Sequence, residues 1–133
     1  MVHTAGHPYE FDVQPWDSIL STAKELSQAQ PNLDYLVAIA LSVIESGVSV
    51  KIAGALWMMD LAVAEVPVRK APLDVIVVKG PSSLDRPAVG MVRIEHLTVS
   101  GHNDVIDRPY ADAVPLFWRF AKEKFGVVGP PSM

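Results

Sequence analysis

The chain has 133 residues, with 11 Lys and Arg against 15 Asp and Glu and a formal charge of −4. That length fits a single domain over 1–133, and that charge provides no field to gather phosphate backbones. There is no cysteine, which excludes disulfides, thiolate metal sites and cysteine nucleophiles and fits a reducing, cytoplasmic setting.

The opening stretch MVHTAGHPYEFD has neither the basic nor the apolar region of a secretory signal. Residues 1–8 are expected to be flexible, with His3 and His7 as surface residues rather than ligands. Tyr9, Phe11 and Val13 alternate with Glu10 and Asp12, the period of a short edge strand over 9–13. A first helix should follow, with Asp17 as its N-cap, Ile19, Leu20, Ala23 and Leu26 facing inward, and Lys24, Glu25 and Gln28 facing out. Pro31-Asn32 breaks it.

From Tyr35 to Val66, 23 of 32 residues are apolar, and only Glu45, Lys51, Asp60 and Glu65 are charged. The spacing predicts a second helix over about 33–46, with Asp34, Ser42 and Glu45 in one narrow polar stripe and Gly47 as the C′ residue. A third is predicted over 50–65, capped by Ser49. On it Lys51 and Asp60 fall on opposite sides, so it is apolar nearly all round and must be central to a core or covered by a partner. The charges also interrupt the run before the about 18–20 apolar residues that a membrane span needs. The turn Glu45 to Ser49 echoes a helix-turn-helix, but Lys51 to Met59 offers one lysine and a hydrocarbon wall, so DNA binding is disfavoured.

Pro67 ends the helical block. Leu73 to Lys79 contains a β-branched run and reads as a strand covered on both faces. Gly80-Pro81-Ser82-Ser83 turns the chain and lacks every phosphate-loop signature. Val89 to Val99 reads as a second strand, with Val92, Ile94, His96 and Thr98 on one face and a partly wet face carrying Arg93 and Glu95. Ser100 to Asp104 is turn chemistry. A last helix follows, capped by Asp112 and tolerating Pro115 in its first turn, with Leu116, Phe117, Trp118, Phe120, Ala121 and Phe125 on its broad apolar side. Gly126 stops it, and 127–133 should be a flexible tail.

The fold expected is α+β: three N-terminal helices, a small antiparallel sheet over about 73–99 with 9–13 as a candidate added strand, and a C-terminal amphipathic helix. The reactive groups worth weighing are His96, His102 and Asp104, with Asp107 and Arg108 close by in sequence. They suit a divalent metal or a general base oriented by a carboxylate, yet their spacing matches no closed signature. Asp60, stranded on an apolar segment, is the other candidate catalytic group. Trp57, Met58 and Met59, together with Phe117, Trp118 and Phe120, are expected to form an interface or a pocket wall.

Half of the residues are hydrophobic and mean hydropathy is +0.25. Such an excess is relieved when subunits cover one another's apolar surface. The leading expectation is therefore a non-enzymatic, oligomeric interaction protein, a regulatory or assembly subunit. It would be a homo-oligomer or bind a protein partner, with no cofactor, nucleic acid or membrane. The alternative is a small enzyme or ligand-binding domain with an apolar pocket, a small apolar ligand and His/Asp polar groups.

Overall fold

The computed structural model describes residues 11–81, 83 and 86–129. Two helices, α1 (Trp16–Ala29) and α2 (Asp34–Ser46), are joined by a 3-10 turn over Pro31–Leu33. Five strands follow: β1 (Ile52–Trp57), β2 (Asp60–Glu65), β3 (Val75–Lys79), β4 (Met91–Leu97) and β5 (Asp104–Pro109). They form one antiparallel sheet in the order β1-β2-β3-β4-β5. A last helix, α3 (Ala113–Phe120), runs on as a π turn over Ala121–Phe125. The fold is α+β, in the order helices, strands, helix.

Both N-terminal helices form for the reasons their sequences suggest. On α1, Ile19 and Ala23 are buried, and Leu20 and Leu26 are half-buried against the same core. The helix begins one residue before Asp17, which lies in its first turn while Pro15 takes the cap position. Gly47 closes α2 in the left-handed region at φ 76°, where a side chain would be strained. Gly126 does the same after the π turn, at φ 69°.

The predicted third helix is the principal correction. Residues 52–65 form the β1–β2 hairpin, in register from Ile52 opposite Glu65 to Trp57 opposite Asp60. The physical reason is an alternation of large and small residues. Ile52, Leu56, Leu61 and Val63 turn to the helices, and Ala53, Ala55, Ala62 and Ala64 turn to the other face. A segment apolar on every side of a helix is equally one apolar on both faces of a strand, and here the period is two. Ser49 caps no helix, and the helix-turn-helix resemblance ends with it.

The sheet is also larger than expected. β3 and β4 lie within the predicted 73–79 and 89–99, but β5 falls where turn residues and the approach to a helix were predicted. Of the expected strand over 9–13, Tyr9 and Glu10 lie outside the described residues. Phe11 is buried against the helix-free face, and Gln14 makes a single bridge to Gly54.

The main core lies between the helices and one face of the sheet. Ile76, Val78, Val92 and Ile94 meet Leu36, Ile39, Val43, Leu116 and Phe117 there, all buried. Each fully buried aliphatic or aromatic side chain contributes roughly 1.5–3 kcal/mol relative to exposure. The other face carries a smaller core, where Val75, Val77 and the alanines are covered by Phe11, Val68, Ala71 and Leu73. Toward β5 that face turns ionic. Lys79 pairs with Glu95 at 3.2 Å, and Arg93 grips Asp107 with two bonds of 2.9 and 3.1 Å.

The two edges of the sheet are finished differently. At β1, Gln14 donates its main-chain N–H to Gly54 O at 2.9 Å. Its side-chain amide then behaves as one more strand residue, accepting from Leu56 N–H at 3.1 Å and donating to Leu56 O at 3.2 Å. The Trp16 indole donates to Ile52 O at 3.0 Å. Close approach is allowed because residue 54 is glycine: a Cβ there would lie 2.8 Å from Ile19 Cδ1 and from Trp16 Cη2. At β5 every residue is exposed or half-buried, and no described residue covers the strand in this way.

Candidate functional site

The antiparallel meander sorts the candidate residues between two ends of the sheet. Turns β1–β2 and β3–β4 and the exit of β5 share one end. The start of β3, the β4–β5 turn and the π turn share the other.

At the second end, β4–β5 pairing places His96 directly opposite Asp104. The π turn adds two groups that the sequence had not singled out. Lys124 forms an ion pair with Asp104, and the Phe125 ring meets His96 edge to face, with centroids 6.0 Å apart. His96 is 8% exposed, and no described residue bonds its Nε2. Burial, reinforced by the Lys124 charge, pushes the His96 pKa below its ordinary value against the pull of Asp74 and Asp104. The hydrogen bond and charge of Lys124 hold the Asp104 carboxyl below its usual range. Burial against an aromatic ring therefore disfavours the charged imidazole, and no described carboxylate orients it by hydrogen bonding.

The remaining members of the predicted cluster are elsewhere. His102 is exposed in the β4–β5 turn, where its main-chain N–H donates to Ser100 Oγ at 3.4 Å. Asp107 is on the opposite face, bound to Arg93, and Arg108 folds back onto Asp107 O at 2.9 Å. Among the described residues no group of three His, Asp or Glu side chains converges as a metal site would. The residues His96, His102 and Asp104 thus supply a close pair and not a ligand set. His3 and His7 lie outside the described residues.

Beside this end is a cavity of about 900 Å³, lined by Val66, Val68, Leu73 and Phe125, with Arg69, Lys70 and Lys124 and the carboxylates of Glu65 and Asp74 at its polar side. No sequence pattern marks it, because its wall is the irregular segment between β2 and β3.

At the first end, Trp57 and Met58 form the tip of the β1–β2 hairpin and are 76% and 68% exposed. The two-residue loop is Met58-Met59, and Met58 sits in the left-handed region at φ 56°. Such loops favour glycine or asparagine, and an ordinary side chain held there costs about 1–2 kcal/mol. Val89, in the β3–β4 turn at the same end, is 92% exposed. Asp60 begins β2 beneath the tip and accepts a hydrogen bond from Ser83 Oγ. Deeper in, Tyr35 and Tyr110 stack at 5.6 Å, nearly parallel, and neither hydroxyl has a partner among the described residues. Burial first, then Tyr110 and Asp60, raise the Tyr35 pKa.

The aromatic residues of α3 are not at either surface. Phe117 and Phe120 lie within the main core, and Trp118 donates its indole N–H to Ser42 Oγ at 3.0 Å, tying α3 to α2. Val127 is buried after the helix, while residues 1–8 and 130–133 lie outside the described set. No described helix is long and apolar enough to cross a membrane. Comparison with models of protein families, with curated proteins and with solved structures gives no match to this chain.

Proposed function

We propose that the protein is a non-enzymatic, oligomeric interaction protein, a regulatory or assembly subunit, and that its contact element is the β1–β2 tip. The observation that carries this reading is Trp57 beside Met58, both largely in solvent on a loop whose backbone is strained. Tryptophan is the residue most enriched among interface anchors, and methionine adapts its shape to a receiving pocket. Backbone strain of this kind concentrates where function requires it. The partner surface that fits is an apolar pocket that takes the indole while Val89 rests at its rim.

Two measurements test the reading. Light scattering over a concentration series should give a multiple of 14.4 kDa; a compact monomer throughout would overturn the oligomeric part. A photoreactive group at position 57 should cross-link to one defined protein in cell extract, and Met58→Gly/Val89→Ser should weaken that product without unfolding the chain. Labelling spread over many abundant proteins would overturn the tip.

A second reading, ligand binding, is favoured by the cavity lined by Leu73 and Phe125 with cations beside it. Apolar walls with Arg69 and Lys70 suit an aliphatic carboxylate, Lys124 being engaged by Asp104. A medium-chain carboxylate should then raise the melting temperature, and Leu73→Asp should abolish the rise. Absence of any rise removes this reading.

A further inference from the structure

We propose that β5 pairs antiparallel with β5 of a second copy of the same chain about a twofold axis at Ile106, which places Asp104 of each copy against Arg108 of the other. The pairing continues two five-stranded sheets into one.

The ladder itself fixes which groups of β5 face outward. Tyr110 N–H donates to Gly90 O at 3.1 Å, in the register that sets Met91 opposite Pro109. Bonding alternates along an antiparallel pair, so Asp104, Ile106 and Arg108 bond inward to β4 while Val105, Asp107 and Pro109 turn their main-chain groups outward. Pro109, which has no N–H, thus occupies a position where none is needed by the sheet. Val105 is 52% exposed, and the outward amides of Val105 and Asp107 donate to no described residue outside the ladder.

A twofold at Ile106 matches outward groups with outward groups. Val105 exchanges both main-chain hydrogen bonds with Asp107 of the second copy, and the reverse pair repeats them. Ile106 meets its own equivalent on the helix-covered face, and Asp104 and Arg108 flank that contact on the same face. Charges on an edge strand ordinarily guard it against pairing, because a neighbouring strand brings unmatched charges together. Here the order acid, apolar, base at 104, 106 and 108 reverses that effect for one partner, another copy in this register. A shift of the register by two residues either way separates the opposite charges.

Each side chain keeps capacity for a second contact. Lys124 occupies Asp104 Oδ2, and no described group takes Oδ1. Arg108 uses one nitrogen, donating to Asp107 O. That carbonyl is the acceptor that Val105 of a second copy would use, so Arg108 leaves it as it reaches across the axis. Asp107 itself brings no bare charge to the seam, being neutralised by Arg93. A single six-residue strand pair buries less than the roughly 1,200 Å² of a stable standard interface, so the dimer is reversible and concentration-dependent. Because β1 and β5 are opposite edges, pairing leaves both Trp57–Met58 tips at the outer ends of the ten strands. A bivalent target then gains from effective concentration. This consequence rests on the reading of the tip given above, whereas the pairing does not.

The test is sedimentation of the full chain over a wide concentration range, with variants of the seam. The native chain should rise from 14.4 kDa toward twice that mass. Val105→Pro removes only an outward donor and should weaken association roughly tenfold or more. Arg108→Asp alone and Asp104→Arg alone should each stay monomeric, and an equimolar mixture of the two should dimerise, which no folding defect can mimic. Since the chain lacks cysteine, Ile106→Cys should give a covalent dimer under mild oxidation, its Cα atoms meeting at about 4.5 Å across the axis. Dimers indifferent to all four variants, or failure of the mixture and of the cross-link, would overturn the seam and leave the oligomeric reading standing. A constant monomer mass would overturn both. Loss of cross-linking at the tip with an intact seam would overturn only the tip.

Discussion

At β1 the outward carbonyls of Ile52 and Gly54 and both main-chain groups of Leu56 are taken up by Trp16 and Gln14, whereas at β5 the outward groups of Val105 and Asp107 meet only the adjacent Arg108 guanidinium, on Asp107 O, among the described residues. Edge strands invite pairing, and the chain meets that hazard in two ways. The segment leading into α1 passes along β1 and seals it with one bridge, one amide and one indole. The chain leaving β5 turns at once through Tyr110–Asp112 into α3, which packs on the face of the sheet rather than along its edge. Sealing therefore depends on which connection runs parallel to an edge, and the side left open is the one whose charges are self-complementary.

The sharpest way to break the contrast is to unseal β1. Trp16→Ala removes a buried ring packed over Gly54 and leaves Ile52 O without its donor. Large-to-small changes of this kind cost about 3–5 kcal/mol, and urea unfolding should show a loss of that order. A loss below about 1 kcal/mol would mean that the indole decorates the edge without holding it. Next in size is Gln14→Leu, which keeps the bulk but strips Leu56 of both side-chain bonds. Leaving those groups unpaired should cost about 1–3 kcal/mol. Hydrogen exchange should then rise at Leu56 while the amides of β3 stay protected.

How far all this was legible in the sequence differs by segment. The helices α1, α2 and α3 and the strands β3 and β4 carried periodicity that tertiary packing had no reason to override. The hairpin did not, because alanines at 53, 55, 62 and 64 read as helix formers and the large-small alternation that matters is muted beside them. β5 was missed for a different reason: Asp104, Asp107, Arg108 and Pro109 are turn-like residues, and an edge strand tolerates them. The closeness of His96 and Asp104 was legible from their places around one turn. Lys124 was not, since the contact arises only when the π turn folds back on the sheet. Gln14 left no signal at all, because an amide acting as a strand residue has no pattern. Trp57 and Met58 were legible as interface candidates, but as part of a helix wall rather than an exposed tip.

Acid offers a gentler probe of the same contrast, since the seal on β1 is built from groups that do not titrate in the ordinary range. On the β4–β5 side, His96 titrates below its ordinary 6.5 in the folded chain. The unfolded chain therefore binds more protons just below that value, and stability falls with pH from there down to the lowered pKa, while it is flat above. The contribution of Asp104 disappears at still lower pH, as its own lowered pKa is passed. Urea midpoints across this range should slope in the native chain and flatten between the two His96 values in His96→Gln. An unchanged slope in that variant would assign the effect to another group. Exchange should quicken first in β5, not in β1.

The smallest expected effect on folding is at Arg108, and its smallness is informative. The guanidinium is exposed, and within one chain it donates to the adjacent Asp107 carbonyl. Arg108→Ala should therefore change the stability of dilute monomer by no more than about 0.5 kcal/mol. At high concentration the same substitution removes both charge contacts of the seam and should shift the association curve clearly to higher concentration. A residue that β5 needed for its own folding would move both measurements together. Movement of the second alone is what distinguishes an edge kept open for a partner from one merely left unfinished.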